Sequence, residues 1–297
     1  MGVIIKATGL STETALHDSV EHAVRAGSAC INAAGIDKRD IGLVLNIGIY
    51  RNDNIFEPAN APFIQKGLGI NLAYSEKAKT SFSFDILNGA CGFMNAVQVA
   101  GAVLGSKKVK YALIVSSDVH PSRKKVADFP YRNMGAAALL EWSDDPLKGF
   151  QEILSRTSRN GSYGQEAFVD TSLSGAREQM NIRQSDKYFD HLIHFAAKTI
   201  TDLYDEYRSK HDIRLADLTF LTSQPIRNFG NLVLQAAGMN GNPVSCLHDK
   251  YGNSHSSALT MAYHEAKASG QIKQGDQSVF IGAGDGLTVS AGLYIEP

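Results

Sequence analysis

The residues around Cys91 are the part of the sequence best suited to nucleophilic chemistry. Cys91 stands in the hexapeptide Asn-Gly-Ala-Cys-Gly-Phe, whose small residues permit a sharp turn and the close approach of a substrate carbonyl. An apolar run follows as far as Leu104, which predicts a helix that begins at the cysteine and is buried on every face. A helix start favours the thiolate form of cysteine, and its N–H groups can contribute to an oxyanion hole.

We therefore predict that Cys91 is a nucleophile. The alternative is that a free cysteine is usually a small buried hydrophobic residue, and this interpretation fits Cys30 and Cys246 better. Three cysteines are odd in number and too few for a disulfide framework, which indicates a reducing, cytoplasmic environment.

The elements that must position Cys91 follow from the apolar pattern. Segments typical of strands alternate with helical segments along the chain, which predicts an α/β fold. In the first half, we predict a helix over residues 16–34 and strands over 41–50, 80–86, 109–116 and 135–142. In the second half, we predict helices over residues 188–210, 226–237 and 254–269 and strands over 218–222, 243–247, 278–283 and 287–295.

The second half repeats the order of elements in the first. When the halves are aligned, the turn at Cys91 corresponds to the turn at Asn253, and the strands on either side also correspond. We predict two duplicated α/β halves, residues 1–160 with the nucleophile and residues 161–297 with Asn253; coincidence is the alternative. The polar segment 155–183 lacks periodicity, so it is either a long connection that caps a site or a simple linker.

Five motifs resemble those of β-ketoacyl-acyl-carrier-protein synthase III enzymes, in the same order and over nearly the whole chain. They are the hexapeptide at Cys91, the strand over residues 111–118, the turn Tyr-Gly-Asn-Ser at 251–254, the helix end at 268–276 and the glycine-rich loop at 282–288. The resemblance implies the thiolase fold, in which two duplicated α/β halves form a five-layered arrangement. The glycine-rich loop lies between two strands and opens no helix, so it does not predict a phosphate site.

The resemblance also implies an acyltransferase. Cys91 would form an acyl thioester, and Claisen-type condensation would transfer the acyl group to a second, carrier-protein-bound substrate in fatty-acid- or polyketide-like biosynthesis. Asn253 corresponds to the family asparagine that assists catalysis. The acyl donor would be a thioester of acyl-carrier-protein phosphopantetheine or of CoA, and no metal or other cofactor is implied.

One departure from the family pattern concerns its catalytic histidine. Ser223 stands at that position, and the loss of an oxyanion donor typically lowers a rate by about 10²–10³-fold. His255, two residues after Asn253, could supply the missing imidazole. From the sequence alone we favour the alternative, in which His255 lies on a helix face and points elsewhere, because geometry decides such roles.

A second signal lies before the predicted strand at residues 80–86. The segment Arg-Asn-Asp-Asn-Ile-Phe-Glu-Pro-Ala at 51–59 is similar to one in relatives that join two acyl chains head to head. In those relatives the glutamate reaches the active site of the partner subunit, so Glu57 is a candidate base delivered across a dimer interface. The alternative is a glutamate that stabilises the start of a helix ahead of Pro58. Residues 62–65 are predicted to continue as an interface helix.

The N-terminal region lacks the tryptophan and the arginine-rich turn with which synthase III enzymes grip CoA. The donor could therefore be a carrier-protein thioester, and acidic carrier proteins need a basic surface. Candidate residues are Lys107, Lys108, Lys110, Arg123, Lys124, Lys125 and Arg227. The alternative is that these charges are ordinary solvated surface.

The composition excludes several other classes of protein. The 297 residues are 43% hydrophobic and 20% charged, with a formal net charge of −1, so no basic field indicates nucleic-acid binding. No apolar run approaches the roughly 20 residues that span a membrane, and the start lacks the apolar stretch of a signal peptide.

Three further functions remain open at this stage. The acyl group could pass to an oxygen or nitrogen nucleophile, because Ser223 weakens the machinery of decarboxylation. The chain could be a non-catalytic subunit that dimerises with a related ketosynthase, although Cys91 and Asn253 argue against this; the resemblance implies either a homodimer or a heterodimer with a related ketosynthase. A hydrolase with a strand–nucleophile–helix turn is a third possibility, but it leaves the duplication unexplained.

Overall fold

The computed structural model describes residues 2–297 with the exception of 56, 74, 76, 77, 123–128, 160–163, 171, 173–179, 211, 212, 245 and 246. The strands of this described part are β1 (Val3–Ser11), β2 (Ile41–Asn46), β3 (Phe82–Asp85), β4 (Tyr111–Asp118), β5 (Met134–Trp142), β6 (Gly149–Thr157), β7 (Gln165–Phe168), β8 (Asn181–Gln184), β9 (Thr219–Thr222), β10 (Asn242–Pro243), β11 (Gln277–Gly284) and β12 (Thr288–Ile295). The helices are α1 (Ser19–Ala34), α2 (Ala61–Leu68), α3 (Gly92–Gly105), α4 (Tyr188–Arg208), α5 (Phe229–Ala236), α6 (Leu247–Tyr251) and α7 (Ala258–Ala268).

Ten of these strands form one sheet whose order is symmetrical about its centre. The order is β10-β9-β11-β12-β6-β1-β5-β4-β2-β3. Within each half, the three outer strands are parallel to one another. Each of the two inner strands is antiparallel to the strand that precedes it from the outer edge. A single residue pair, Val3 with Phe150, joins the halves. Strand β6 precedes residue 160 in sequence but pairs along its length with β12, so it lies in the second half of the sheet.

The helices and the two halves of the sheet form five layers. Helices α3 and α7 each contact strands of both halves, and their side chains belong to the central core cluster. Helices α1 and α2 pack on the outer face of the first half, and α4 and α5 pack on the outer face of the second. The layered α/β prediction is confirmed, and the site is positioned by the two central helices.

The ends of the helices follow the local sequence. Helix α1 begins after Asp18, whose side chain accepts a hydrogen bond from the Glu21 N–H at 2.9 Å. It ends at Gly35, which takes the left-handed conformation with φ of 61°. Helix α3 is largely buried as predicted, but Gln98 and Ala102 are exposed, so one edge of the helix reaches solvent and its burial is not complete. No helix in the described residues is long and apolar enough to cross a membrane.

Three predicted elements differ from the structure. The strand predicted over 41–50 ends at Asn46, because the N–H groups of Ile49 and Tyr50 donate to the Asp118 carboxylate and not to a neighbouring strand. The strand predicted over 243–247 is only the two-residue β10, and Leu247 begins helix α6. The segment predicted as a connection over 155–183 contains the end of β6 and the two-stranded β7–β8 sheet.

Candidate active site

Cys91 lies at the junction of a short turn with helix α3. Residues Gly89–Cys91 form a 3₁₀ turn, and Gly92 is the first residue of the helix. The Cys91 side chain is fully buried, and its Sγ lies 3.2 Å from the carbonyl oxygen of Gly282 and 3.4 Å from that of Thr288. The predicted placement of the cysteine at the start of a buried helix is therefore what the structure has.

Two glycines of β11 allow this turn to approach the sheet. A Cβ atom on Gly282 would lie 2.5 Å from the Ala90 carbonyl oxygen, a distance that real side chains do not adopt. A Cβ atom on Gly284 would lie 3.6 Å from the Ala90 nitrogen and 4.0 Å from Cys91 Sγ, which is ordinary contact. Gly282 is thus required by the close packing, whereas the space beside Gly284 is open and borders the thiol.

A cleft of about 350 Å³ opens above the nucleophile turn. Its lining includes Ala90, next to Cys91, and it brings together Ser223, Asn253 and His255. These three residues come from two loops of the second half of the chain, after β9 and before α7. The structure therefore places four of the five predicted site residues at or directly beneath one cleft.

The hydroxyl group of Ser223 is engaged by the neighbouring strand. Ser223 Oγ donates to the Ala283 carbonyl oxygen at 3.2 Å and accepts from the Ala283 N–H at 2.9 Å. The side chain is only 2% exposed. Both the proton and a lone pair of the hydroxyl are thus directed at β11, which makes Ser223 a poor donor to a substrate oxygen.

The ring of His255 enters the cleft, so the expectation that it points elsewhere is wrong. His255 has a left-handed backbone with φ of 46°, and its N–H donates to Asn253 Oδ1 at 3.0 Å. The ring stacks on Tyr131 with centroids 4.1 Å apart, and Nδ1 lies 3.1 Å from Asp118 Oδ2. A Cβ atom on Gly89 would lie 3.1 Å from His255 Nε2, so this nitrogen faces the nucleophile turn.

Asp118 ends strand β4 and is completely buried below the histidine. Its Oδ1 accepts from the N–H groups of Ile49 and Tyr50, and its Oδ2 accepts from the N–H and the hydroxyl of Ser256. Burial acts to raise the pKa of this carboxyl, but the adjacent His255 and the hydrogen bonds outweigh it and hold the pKa below its usual value. Sequence reasoning missed Asp118, although an aspartate at the end of a buried strand is an available signal.

Asn253 is held by its backbone to the segment that carries Tyr131. The Arg132 N–H donates to the Asn253 carbonyl oxygen at 3.0 Å, and residues 131 and 253 form a bridge. The Tyr131 hydroxyl accepts a hydrogen bond from Gln165 Nε2 at 2.8 Å. Strand β7, to which Gln165 belongs, therefore closes one side of the cleft.

Glu57 does not line this cleft in the single chain. It is exposed and precedes Pro58, which follows a cis peptide bond. A buried ion pair fixes the segment: Arg51 Nη2 lies 2.7 Å from Asp85 Oδ2, and Nη1 donates to the Pro58 carbonyl oxygen at 2.8 Å. The interface helix predicted over residues 62–65 lies in α2.

The candidate basic residues do not form one free patch. Lys107 pairs with Asp144, Lys110 with Asp40, and Arg227 with Asp249. Arg227 also lines a polar cleft of about 280 Å³ with Gln224, Asn228, Asn231, Pro243, Val244 and His248. Residues 123–125 lie outside the described residues. Within the described part of the chain, no group of three His, Cys, Asp or Glu residues could hold a metal ion.

Comparisons with known proteins show which families this chain resembles. Residues 209–295 match the family model of the 3-oxoacyl-[acyl-carrier-protein] synthase III C terminal. A β-ketoacyl-[acyl-carrier-protein] synthase III of a Sulfurovum species is 28% identical, over 98% of this chain and 86% of the relative. One from Clostridium perfringens is 25% identical, over 91% of this chain and 82% of its own length.

Solved structures show the same fold. FabH of Pseudomonas aeruginosa superimposes with a TM-score of 0.78 at 18% identity, over 100% of this chain and 99% of its own. OleA of Xanthomonas campestris, solved with lauric acid and lauroyl-CoA, gives a TM-score of 0.76 at 16% identity, over 99% of both chains. The chain therefore has the thiolase fold, and its resemblance to synthase III condensing enzymes is confirmed.

Proposed function

We propose that this chain is an acyltransferase of the ketosynthase III type that binds an acyl group to Cys91 as a thioester and transfers it to a second substrate. The observation that carries the proposal is the position of Cys91 at the start of α3, directly beneath the cleft lined by Asn253 and His255. The similarity to named condensing enzymes supports the same class of reaction.

The first half-reaction is attack of the Cys91 thiolate on the carbonyl carbon of an acyl thioester. The positive end of the α3 dipole stabilises the thiolate, and backbone N–H groups of the nucleophile turn are available for the developing oxyanion. The donor is an acyl group on carrier-protein phosphopantetheine or on CoA. The groups that this step needs all come from the chain itself, so no cofactor is part of the proposal.

The second half-reaction is Claisen-type condensation with a carrier-protein-bound substrate, as the similarity to synthase III suggests. Asn253 is then the side-chain donor to the thioester oxygen of the incoming substrate. The Arg227 cleft, which is also lined by Gln224 and by Asp249, the ion-pair partner of Arg227, is the candidate contact for the acidic carrier protein or its phosphopantetheine phosphate. Such a reaction belongs to fatty-acid- or polyketide-like biosynthesis.

A second candidate function is acyl transfer to an oxygen or nitrogen nucleophile. The hydroxyl group of Ser223, at the position of the family histidine, is hydrogen-bonded to the Ala283 backbone. It therefore does not supply the donor that an enolate oxygen needs. A heteroatom acceptor attacks without forming an enolate and does not depend on that donor.

The decisive experiment is intact-protein mass spectrometry after incubation with acyl-CoA and acyl-carrier-protein thioesters of several chain lengths. We expect one acyl adduct on the wild type and none on Cys91→Ala. The matched control is Cys30→Ala, which should keep the adduct, because burial raises the pKa of the Cys30 thiol to about 12. Absence of an adduct from the wild type would overturn the proposal and favour a non-catalytic subunit, and its persistence in Cys91→Ala would overturn the proposal by showing a different acceptor residue.

We also propose that the chain works as a homodimer in which Glu57 reaches the partner's cleft. Strand β3 lies at the edge of the sheet, and the apolar side chains of Phe82, Phe63 and Ile55 near it are 67%, 46% and 45% exposed. A sheet edge beside exposed apolar side chains suits pairing with a second copy. The Arg51–Asp85 ion pair fixes the segment from which Glu57 projects.

Mixed dimers test this arrangement. Cys91→Ala and Glu57→Gln should each be inactive in condensation, whereas a refolded mixture should regain about a quarter of wild-type activity, since half of the dimers contain one working site. The control is a mixture of Cys91→Ala with Cys91→Ala/Glu57→Gln, which should stay inactive. A monomer in analytical ultracentrifugation, or no regain of activity, would contradict the proposal.

A further inference from the structure

We propose that Asp118 is a positioning residue, which holds the His255 ring so that Nε2 faces the nucleophile turn as the base that takes the proton of Cys91. The Asp118–His255 pair would then replace, from a different loop, the histidine that position 223 lacks. This inference rests on the proposed acyl transfer through Cys91 and names the group that activates the thiol. Three features of the structure carry it.

The first feature is that the partner of the Asp118 carboxylate is a hydrogen-bond donor in every described hydrogen bond. The donors are the N–H groups of Ile49, Tyr50 and Ser256, the Ser256 hydroxyl and His255 Nδ1. Such surroundings stabilise an ionised carboxylate, which can only accept hydrogen bonds. His255 Nδ1 must therefore carry a proton, and in the neutral ring Nε2 is left with its lone pair.

The second feature is that the ring of His255 is fixed on several sides. Its centroid is 4.1 Å from that of Tyr131 and 5.2 Å from that of Tyr50. The His255 N–H is bound to Asn253 Oδ1, and the backbone has φ of 46°, which is strained for a residue with a side chain. Backbone strain kept at a site by specific contacts indicates a required orientation.

The third feature is the direction of the ring. With Nδ1 turned to Asp118, the opposite nitrogen lies 3.1 Å from the position of a Cβ on Gly89, two residues before Cys91. The turn that contains His255 packs against the turn that contains Cys91. The Ser223 hydroxyl, at the position of the family histidine, is bound to Ala283 and is too weak a base for this step.

The loading step then balances. The proton moves from Cys91 Sγ to His255 Nε2, and the resulting thiolate adds to the carbonyl carbon of the donor thioester. Collapse of the tetrahedral intermediate breaks the bond between that carbon and the donor sulfur, and the departing thiolate recovers the proton from Nε2. One thioester and one thiol give one thioester and one thiol, with no other reactant.

The test is the pH dependence of Cys91 reactivity in single-turnover acylation and in alkylation by iodoacetamide, which needs no acyl substrate. We expect His255→Gln and Asp118→Asn to react about 10²–10⁴-fold more slowly at neutral pH. The deficit should shrink as pH rises, because the thiol then ionises without a base. A merely structural role would lower reactivity equally at every pH.

The matched control is Ser116→Ala. Ser116 lies on the same strand as Asp118 and bonds the same turn through Ser257 Oγ at 2.8 Å, and the described hydrogen bonds of its hydroxyl go to Ser257 and the Ala136 carbonyl oxygen. Its pH profile should match that of the wild type. If Asp118→Asn does not fold, His255→Gln keeps the buried carboxylate and carries the test.

The outcomes separate this inference from the proposed function. If the wild type is acylated and folded His255→Gln reacts with an unchanged rate and pH profile, the inference is wrong and the acyltransferase proposal stands. If no thioester acylates the wild type but His255→Gln shifts the alkylation profile, the pairing of base and thiol is supported and the acyltransferase proposal fails.

Discussion

The turn before α3 and the turn before α7 occupy equivalent places in the two halves but carry opposite chemistry. Residues 89–91 lead into the first helix and residues 255–257 into the second, and the first residue of each has nearly the same φ, 48° for Gly89 and 46° for His255. By this correspondence Cys91 matches Ser257, which lies four residues after Asn253 in the region that the sequence alignment paired with the turn at Cys91. In the proposed reaction the first half supplies the nucleophile Cys91, and the second half supplies Asn253 and His255.

The difference between these turns lies in how each accommodates the left-handed backbone. Gly89 adopts it without steric cost, and its missing side chain leaves room for the His255 ring. His255 adopts it at a cost of order 1–3 kcal/mol, which the bonds to Asp118 and Asn253 must offset. The second turn is therefore held by side-chain contacts, whereas the first turn is built from small residues.

The largest effect should come from filling the space between the nucleophile turn and the sheet. Gly282→Ala places a Cβ against the Ala90 backbone, which is less able to move aside than a side chain. We therefore expect the free energy of unfolding to fall by about 1–3 kcal/mol. We also expect the acylation of Cys91 to decrease. Gly284→Ala is the control, because its Cβ meets only ordinary contacts and should leave the melting temperature nearly unchanged. Thermal unfolding and intact mass measure both. Equal melting temperatures for the two variants would contradict the packing argument.

Gly89→Ala should have the next largest effect, because it makes the first turn resemble the second. A side chain at φ of 48° costs about 1–2 kcal/mol, and the new Cβ lies 3.1 Å from His255 Nε2. We expect lower stability by denaturant unfolding and slower acylation of Cys91. Gly35→Ala, which has φ of 61° and nothing near its Cβ position, controls for the backbone alone. Equal acylation in the two variants would show that the ring is not displaced.

Acid should remove the stabilisation that the Asp118 carboxylate gives to the second turn. The pKa of Asp118 is lower in the folded chain than in the unfolded chain, so its ionisation stabilises the fold at pH values above about 4. That stabilisation is lost as the pH falls through the lowered pKa of the folded state. The difference in melting temperature between the wild type and Asp118→Asn should therefore shrink below pH 4. A difference that stays constant down to pH 2 would contradict the expectation.

The smallest effect should come from Ser223→Ala. Its hydroxyl bonds only to the Ala283 backbone among the described contacts, so we expect a loss of about 0.5–1.5 kcal/mol of stability and an acylation rate close to that of the wild type. Quenched-flow acylation and thermal unfolding measure the two quantities. A rate loss as large as that of His255→Gln would restore Ser223 as a catalytic group.

Local sequence was enough to predict Cys91 at a helix start, because that depends on residues within a few positions, and Asn253 was identified through the family resemblance of its turn. The direction of the His255 ring was not predictable in this way. It depends on Asp118, which is 137 residues away, and on a positive φ that histidine rarely adopts. Residues 47–50 were wrongly predicted to continue a strand, because the N–H groups of Ile49 and Tyr50 donate to the distant Asp118 carboxylate and local sequence does not show this.

The N-terminal and C-terminal limits of most elements were predicted well, because the alternation of apolar residues reports which face is buried. The β7–β8 pair was not predicted, since its strands are short and half-exposed and leave little periodic signal. Glu57 shows a different limit. Its proposed partner lies on a second copy of the chain, which neither local pattern nor a single chain can place.

The hydrogen bond from the His255 N–H to the Asn253 side chain has a consequence for how related sequences should vary. The bond uses the backbone N–H of residue 255 and so constrains the side chain at position 253, whereas the contact of His255 Nδ1 with Asp118 ties the imidazole to position 118. We expect related sequences to accept alanine, threonine or glycine at position 223. We expect Asn253, His255 and Asp118 to be kept or lost together. An alignment that shows Asp118 lost where His255 persists would mark lineages in which the site has changed its chemistry.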